Sequence, residues 1–125
     1  MSMMIKNIKQ LAKENTNFRS VIATGPHSQI VLMCIPVGGE IGEEVHPDTD
    51  QILVFVKGNG MALLNGEKQN VEKHDVVLVP AGVTHNFTNV GNEDLKLYTV
   101  YAPPHHKDGT IHKTKQEADE AEKKE

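Results

Sequence analysis

The chain has one cysteine, one arginine and no tryptophan in 125 residues. The lone cysteine, Cys34, forms no internal disulfide, and a single thiol suits a reducing compartment. The lone arginine, Arg19, and a formal net charge of −4 leave no basic footprint, which argues against nucleic acid as a partner. It also argues against a strong arginine clamp for phosphate, although lysines can serve as point charges. Aromatics are sparse, with three Phe and two Tyr. No apolar run approaches the length of a membrane span, so no membrane association is expected. The opening stretch, MSMMIKNIKQLAKEN, lacks a continuous apolar core and a small-residue cleavage site, so no secretory leader is expected. These absences predict a cytoplasmic protein.

What is present fits one domain over 1–125, long enough to bury a real core. Met4, Ile8, Leu11 and Ala12 fall at near-helical spacing, predicting a short amphipathic helix within residues 3–14 that closes one end of the fold. From Phe18 onward the pattern changes to short strands separated by turns. Phe18 to Thr24 alternates, with Arg19, Val21 and Ala23 on one face. Ser28 to Val37 contains IVLMCI, apolar on both faces, which calls for a partner subunit or a covering helix on the outer side. Gln51, Leu53 and Phe55 share one parity, while Ile52, Val54 and Val56 form a second apolar outer stripe. Exposed stripes of this kind mark interfaces, so a homodimer is expected.

Met61 to Leu64 and Lys68 to Val71 flank Asn65-Gly66, a strong hairpin signal because a type I′ turn needs positive φ at both central positions. Asp75 to Val79 reads as a buried strand, and Thr84 to Val90 and Leu95 to Tyr101 as two more. Seven to nine strands at this rhythm predict an all-β antiparallel sandwich or barrel, with its core at about 18–103. A polar tail, 104–125, follows. In it Thr114-Lys115-Gln116-Glu117 fits a capping box, predicting a solvated helix over Thr114 to Lys124.

The stretch that carries chemistry is Gly38 to Gly58, GGEIGEEVHPDTDQILVFVKG. In an extended chain Glu44 and His46 point the same way, and Gln51 opens the next strand across the turn. His85 sits in a second turn, VPAGVTHNFTN. One carboxylate, two imidazoles and an amide can therefore converge on one point as metal ligands. Singly, each has a plainer reading: a solvated strand end, a turn histidine, a strand cap, a satisfied core histidine. Jointly they obey two independent spacings, Gly38-x5-Glu44-x-His46-x4-Gln51-x6-Gly58 and His74-x5-Pro80-x-Gly82-x2-His85-x3-Asn89.

These spacings resemble those of the cupin family, Gly-x5-His-x-His-x3-4-Glu-x6-Gly and Gly-x5-Pro-x-Gly-x2-His-x3-Asn. The likeness covers roughly residues 20 to 103. Three positions depart: Glu44 stands for the first His, Gln51 for the Glu and His74 for the second motif's first Gly. The resemblance implies a single-domain cupin-type β-barrel, or jelly roll, with a short N-terminal helix, a C-terminal helical tail and a divalent metal ion in its mouth. The ligands it implies are Glu44, His46, Gln51 and His85. Exchanging an imidazole for a neutral oxygen donor at constant charge favours a harder ion, Zn²⁺, Mn²⁺, Fe²⁺ or Ni²⁺, over Cu⁺.

The ligand types also resemble those of phosphomannose isomerases, which points to a small-molecule enzyme of the sugar or sugar-phosphate isomerase type. His105 and His106 are then the acid–base candidates, provided the tail folds over the mouth. Two imidazoles and a carboxylate equally fit an Fe(II)-dependent dioxygenase, the second reading. A non-catalytic module that binds or senses a small ligand is the third. Tyr98 and Tyr101 lie in opposite parity, so one of them can line the pocket. Cys34 reads as a small core residue.

Overall fold

The computed structural model describes residues 2–123. Helix α1 (Ile8–Glu14) leads into β1 (Arg19–Thr24), β2 (Gln29–Ile35), β3 (Asp50–Lys57), β4 (Asn59–Leu64) and β5 (Glu67–Glu72). Then come β6 (Val76–Val79), β7 (His85–Asn89), β8 (Leu95–Ala102), β9 (Ile111–His112) and helix α2 (Lys115–Lys123). The strands form two sheets, one ordered β6-β3-β8-β2-β1-β9 and the other β5-β4-β7. All strand pairings are antiparallel. Bridges from Glu40 to Thr88 and from Glu44 to His85 lay the loop before β3 along the free edge of β7.

The core lies between the two sheets. From the large sheet come the inward residues of β2, β3 and β8, among them Met33, Leu53, Phe55 and Leu97. Ala62, Val71 and Phe87 meet them from the small sheet, and the Phe55 and Phe87 rings stand 5.7 Å apart. Strand alternation decides which residues take part. Gln51, Leu53 and Phe55 are buried, whereas Ile52 and Val54 on the opposite face are only half-buried.

Helix α1 is shorter than the sequence pattern implied, because Asn7 adopts a left-handed conformation (φ 54°) and breaks the helix on its N-terminal side. Seven residues are too few to be helical alone, so tertiary packing holds this element. It does not close a barrel end. Ala12, fully buried, packs with Leu32 and Val56 on the outer face of the large sheet. The Lys96 ammonium on β8 donates to the Asn15 carbonyl and fastens the helix terminus there. The second apolar face of β2 is thus covered from within the same chain.

Strand β6 differs from expectation. It pairs only with β3, at the sheet edge, leaving Val76 63% and Leu78 59% exposed. The tail also differs. Ala118 is buried in the core cluster, so α2 docks rather than floating in solvent. Its start follows the capping box, with the Glu117 backbone N–H donating to Thr114 Oγ1 at 3.1 Å. Lys124, to which the expected helix extended, lies outside the described residues. No helix among the described residues is long and apolar enough to cross a membrane.

Candidate metal centre

The two motif halves meet through the backbone. Glu44 and His85 exchange both their N–H···O hydrogen bonds, each 2.9 Å long. The Gly82 N–H donates to the His46 carbonyl at 2.8 Å, and the Ala81 N–H to Asp50 Oδ1 at 2.8 Å. Asn89 donates to the carbonyls of Ile35 and Glu93, both at 2.9 Å, and accepts from the Gly91 N–H. Pro80-x-Gly82-x2-His85-x3-Asn89 is therefore a scaffold that sets His46 and His85 side by side.

Their ring centroids are 5.1 Å apart, and both residues are buried. His85 Nδ1 lies 2.9 Å from the Val83 carbonyl. A carbonyl only accepts, so Nδ1 carries the proton and the Nε2 lone pair is left for a ligand. His46 Nε2 is 3.5 Å from a Glu44 carboxylate oxygen, an ion-pair distance, but is buried with no hydrogen-bond partner. Burial by itself would raise the Glu44 carboxyl pKa. The adjoining His46 imidazole, with the charges of Arg19 and His85, outweighs burial and holds it below the usual carboxylate range.

Gln51 completes the floor. Its amide nitrogen donates to Thr99 Oγ1 (3.1 Å) and to the Tyr101 hydroxyl (3.2 Å). Both N–H groups are thereby used, and Oε1 remains buried without a partner. Gln51 Oε1 is an orphaned acceptor, and His46 Nε2 has only the Glu44 carboxylate at 3.5 Å, so both would cost stability if nothing else filled the site. Under-satisfied polar atoms beside a carboxylate fit a divalent cation, and His85 Nε2, with the proton on Nδ1, can add a further nitrogen donor.

The tail supplies what the motif spacing could not. His105 stands over His46 with ring centroids 4.3 Å apart, and the Glu44, His46 and His105 ligand atoms lie within 4.8 Å of one another. His85 is outside that tight group. The backbone N–H groups of His105 and His106 both donate to Gln29 Oε1, while Gln29 Nε2 donates to the His106 carbonyl. This clasp folds residues 104–107 across the mouth. His106 sits edge-on to Tyr101, and burial, reinforced by the Arg19 charge, holds its imidazole far below the ordinary value. Burial likewise pushes the Tyr101 phenol well above its usual range, so it stays a neutral hydroxyl.

A cavity of ≈ 420 Å³ opens above these residues, with Arg19, Glu44, His46, His105 and His106 in its wall. Of the tyrosines, Tyr101 lines the site, because the register sets it opposite Gln51. Thr99, and the inward placement of Arg19, lie outside the two motifs. Their signal was polar side chains at inward parity, Thr99 and Tyr101 with Gln51, and Arg19 with Val21 and Ala23. His74 lies far from the mouth, in the β5–β6 turn with φ 80°.

Residues 31–101 match a family model described as Cupin domain. The chain belongs to the cupin family. It is 42% identical over 124 residues to the YrkC protein of Bacillus subtilis (strain 168), covering 94% of this chain and 67% of that one. The crystal structure of BH2720 from Bacillus halodurans superposes with a TM-score of 0.93 at 40% identity, covering 95% of both chains. A predicted oxalate decarboxylase from Thermotoga maritima has a TM-score of 0.60 at 25% identity, covering 63% of this cupin and 69% of its own chain.

Proposed function

We propose that this cupin holds one divalent metal ion through Glu44, His46, His85 and the Gln51 amide oxygen, and interconverts small polyols of the aldose–ketose type. The observation that carries the reading is the pairing of a bare Gln51 Oε1 and an under-satisfied His46 Nε2 at the floor with an exposed imidazole at the roof. A bound divalent ion would polarise substrate oxygens and stabilise negative charge developing on them. Glu44, held ionised beside His46, suits a ligand rather than a base. His105 is the better proton carrier, since it is exposed at the cavity while His106 is held neutral by burial. The Gln29 clasp keeps the His105 backbone in place, and the tail restricts water at the mouth.

A second reading is an Fe(II)-dependent dioxygenase, favoured by the mutual proximity of the Glu44, His46 and His105 ligand atoms, two imidazoles and one carboxylate. The deciding experiment is metal analysis of anaerobically purified protein, followed by assays with Zn²⁺, Mn²⁺ or Fe²⁺ for aldose–ketose interconversion and for oxygen uptake. Interconversion with any of the three metals is expected. Oxygen consumption with Fe²⁺ alone would replace the isomerase with the dioxygenase, and a protein that binds ligand but no metal would leave a binding module.

The functional unit in this reading is a homodimer in the cytoplasm. Leu78, Ile52, Val100 and Ile30 lie opposite one another across β6, β3, β8 and β2, and Val76, Val54 and Tyr98 form a second such row. An uninterrupted apolar sheet face is self-complementary, and a second copy related by a two-fold axis would bury it.

A further inference from the structure

Arg19 carries a permanent charge at 2% exposure. A buried charge is costly unless its donors are satisfied, and those of Arg19 are only partly so. Nη1 donates to His112 Nδ1 at 3.2 Å, a neutral partner, and Nε is buried without a hydrogen-bond partner. The guanidinium also lies 5.4 Å from the Phe18 ring centroid. This side chain points inward from β1, opposite Met33, into the wall of the cavity shared with Glu44, His46 and His105. Its charge is felt across the site, helping to lower both Glu44 and His106.

We propose that Arg19 is an anion anchor, holding the carboxylate of a small hydroxy- or oxo-carboxylate whose remaining oxygens face Glu44, His46 and His105. The geometry favours carboxylate over phosphate. With one edge of the guanidinium committed to His112, what is left can serve a planar two-oxygen group, the natural match for a guanidinium fork. A tetrahedral dianion calls for several cationic donors, and in this wall Glu122 offsets Lys107, leaving Arg19 as the one buried cation. The balance of charge agrees: with a divalent ion bound, Arg19 and Lys107 against Glu44 and Glu122 leave a positive site that an anionic substrate would neutralise. The inference rests on the metal reading only for the other end of the substrate. It makes that substrate a polyol acid in place of a phosphorylated sugar.

The test is calorimetric titration of the full chain, metal-free and Zn²⁺-loaded, with glycolate, with its neutral counterpart glycolamide and with inorganic phosphate. Glycolate is expected to bind roughly 10- to 100-fold tighter than glycolamide, the range of a charge-assisted hydrogen bond. Arg19→Met should erase that ratio and Arg19→Lys should retain part of it. A purely structural arginine would lower the melting temperature of Arg19→Met yet leave the ratio intact, which overturns the proposal. So does equal binding of the two probes by the native protein, a comparison that holds even if Arg19→Met fails to fold. Phosphate binding tighter than glycolate overturns the choice of carboxylate. Failure to take up Zn²⁺ refutes the metal reading alone, because the metal-free titration still measures the Arg19 preference.

Discussion

Gln51 is a scaffold residue and, in the proposed site, a ligand as well. Two donors tie it to Thr99 and Tyr101, and the remaining oxygen is aimed at nothing the protein supplies. Replacing it by alanine removes a weak neutral ligand that water can replace, so Gln51→Ala should lower metal affinity by about tenfold, as supporting-shell changes do. His85→Ala removes an imidazole that His105, grouped with Glu44 and His46, can replace only in part, so metal occupancy after dialysis should fall steeply. Full occupancy in that variant, measured by elemental analysis, would remove His85 from the site. Cys34 makes a contrasting case on the outer face of β2. Burial pushes its thiol up, with Lys96 and Asp94 acting in opposite directions beside it. Native protein at pH 8 should therefore react with iodoacetamide many-fold more slowly than urea-unfolded protein. Equal rates would show that the outer layer over β2 is open.

Elements are held by a few backbone positions that tolerate no side chain. Gly58 joins β3 to β4 with φ 94°, and a Cβ there would fall 2.8 Å from the Asp94 carbonyl oxygen. Neither backbone atoms nor a left-handed conformation can yield cheaply. Gly58→Ala should cost on the order of 1–3 kcal/mol, seen as a lower denaturant midpoint at unchanged slope. A midpoint equal to that of the native protein would mean the β3–β4 connection shifts freely. The same strand, β3, carries Gln51 at its other end and lies between β6 and β8. A loosened turn would therefore reach Gln51 and the floor of the candidate site through the strand itself. Helix α1 is an element of another kind. Its residues have no lasting helical preference alone, and Ala12 against Leu32 and Val56 supplies what propensity lacks.

At the scale of the molecule, one sheet face sets the expected assembly. Helix α1 covers the end near Leu32 and Val56, and nothing within the described chain covers Val76 and Leu78. Leu78→Glu puts a charge where a monomer is already wet, so folding should be unaffected while the dimer dissociates. Val54→Glu, at a half-buried site on β3, should dissociate it and lower stability as well. Sedimentation of the native protein as a monomer at high concentration would overturn the dimer, and a Leu78→Glu dimer would move its interface elsewhere.

Much of this was legible before any coordinates. Alternating polarity and turn residues act locally, so strand order along the chain, the Asn65-Gly66 hairpin (φ 49° and 86°) and the capping box at Thr114 could be read directly. Two motif spacings singled out Glu44, His46, Gln51 and His85 as candidates, because each half is a short turn feeding a strand. What only the tertiary structure decided is non-local. That His105 meets His46 depends on Gln29, seventy-six residues away, gripping the tail backbone. That Arg19 faces the mouth depends on the pairing of β1 with β2 and β9. Whether α1 caps an end or covers a face, and whether β6 is buried or at an edge, follows from sheet order. A residue's neighbours across a sheet are set by long-range pairing, and no local pattern in the chain encodes them.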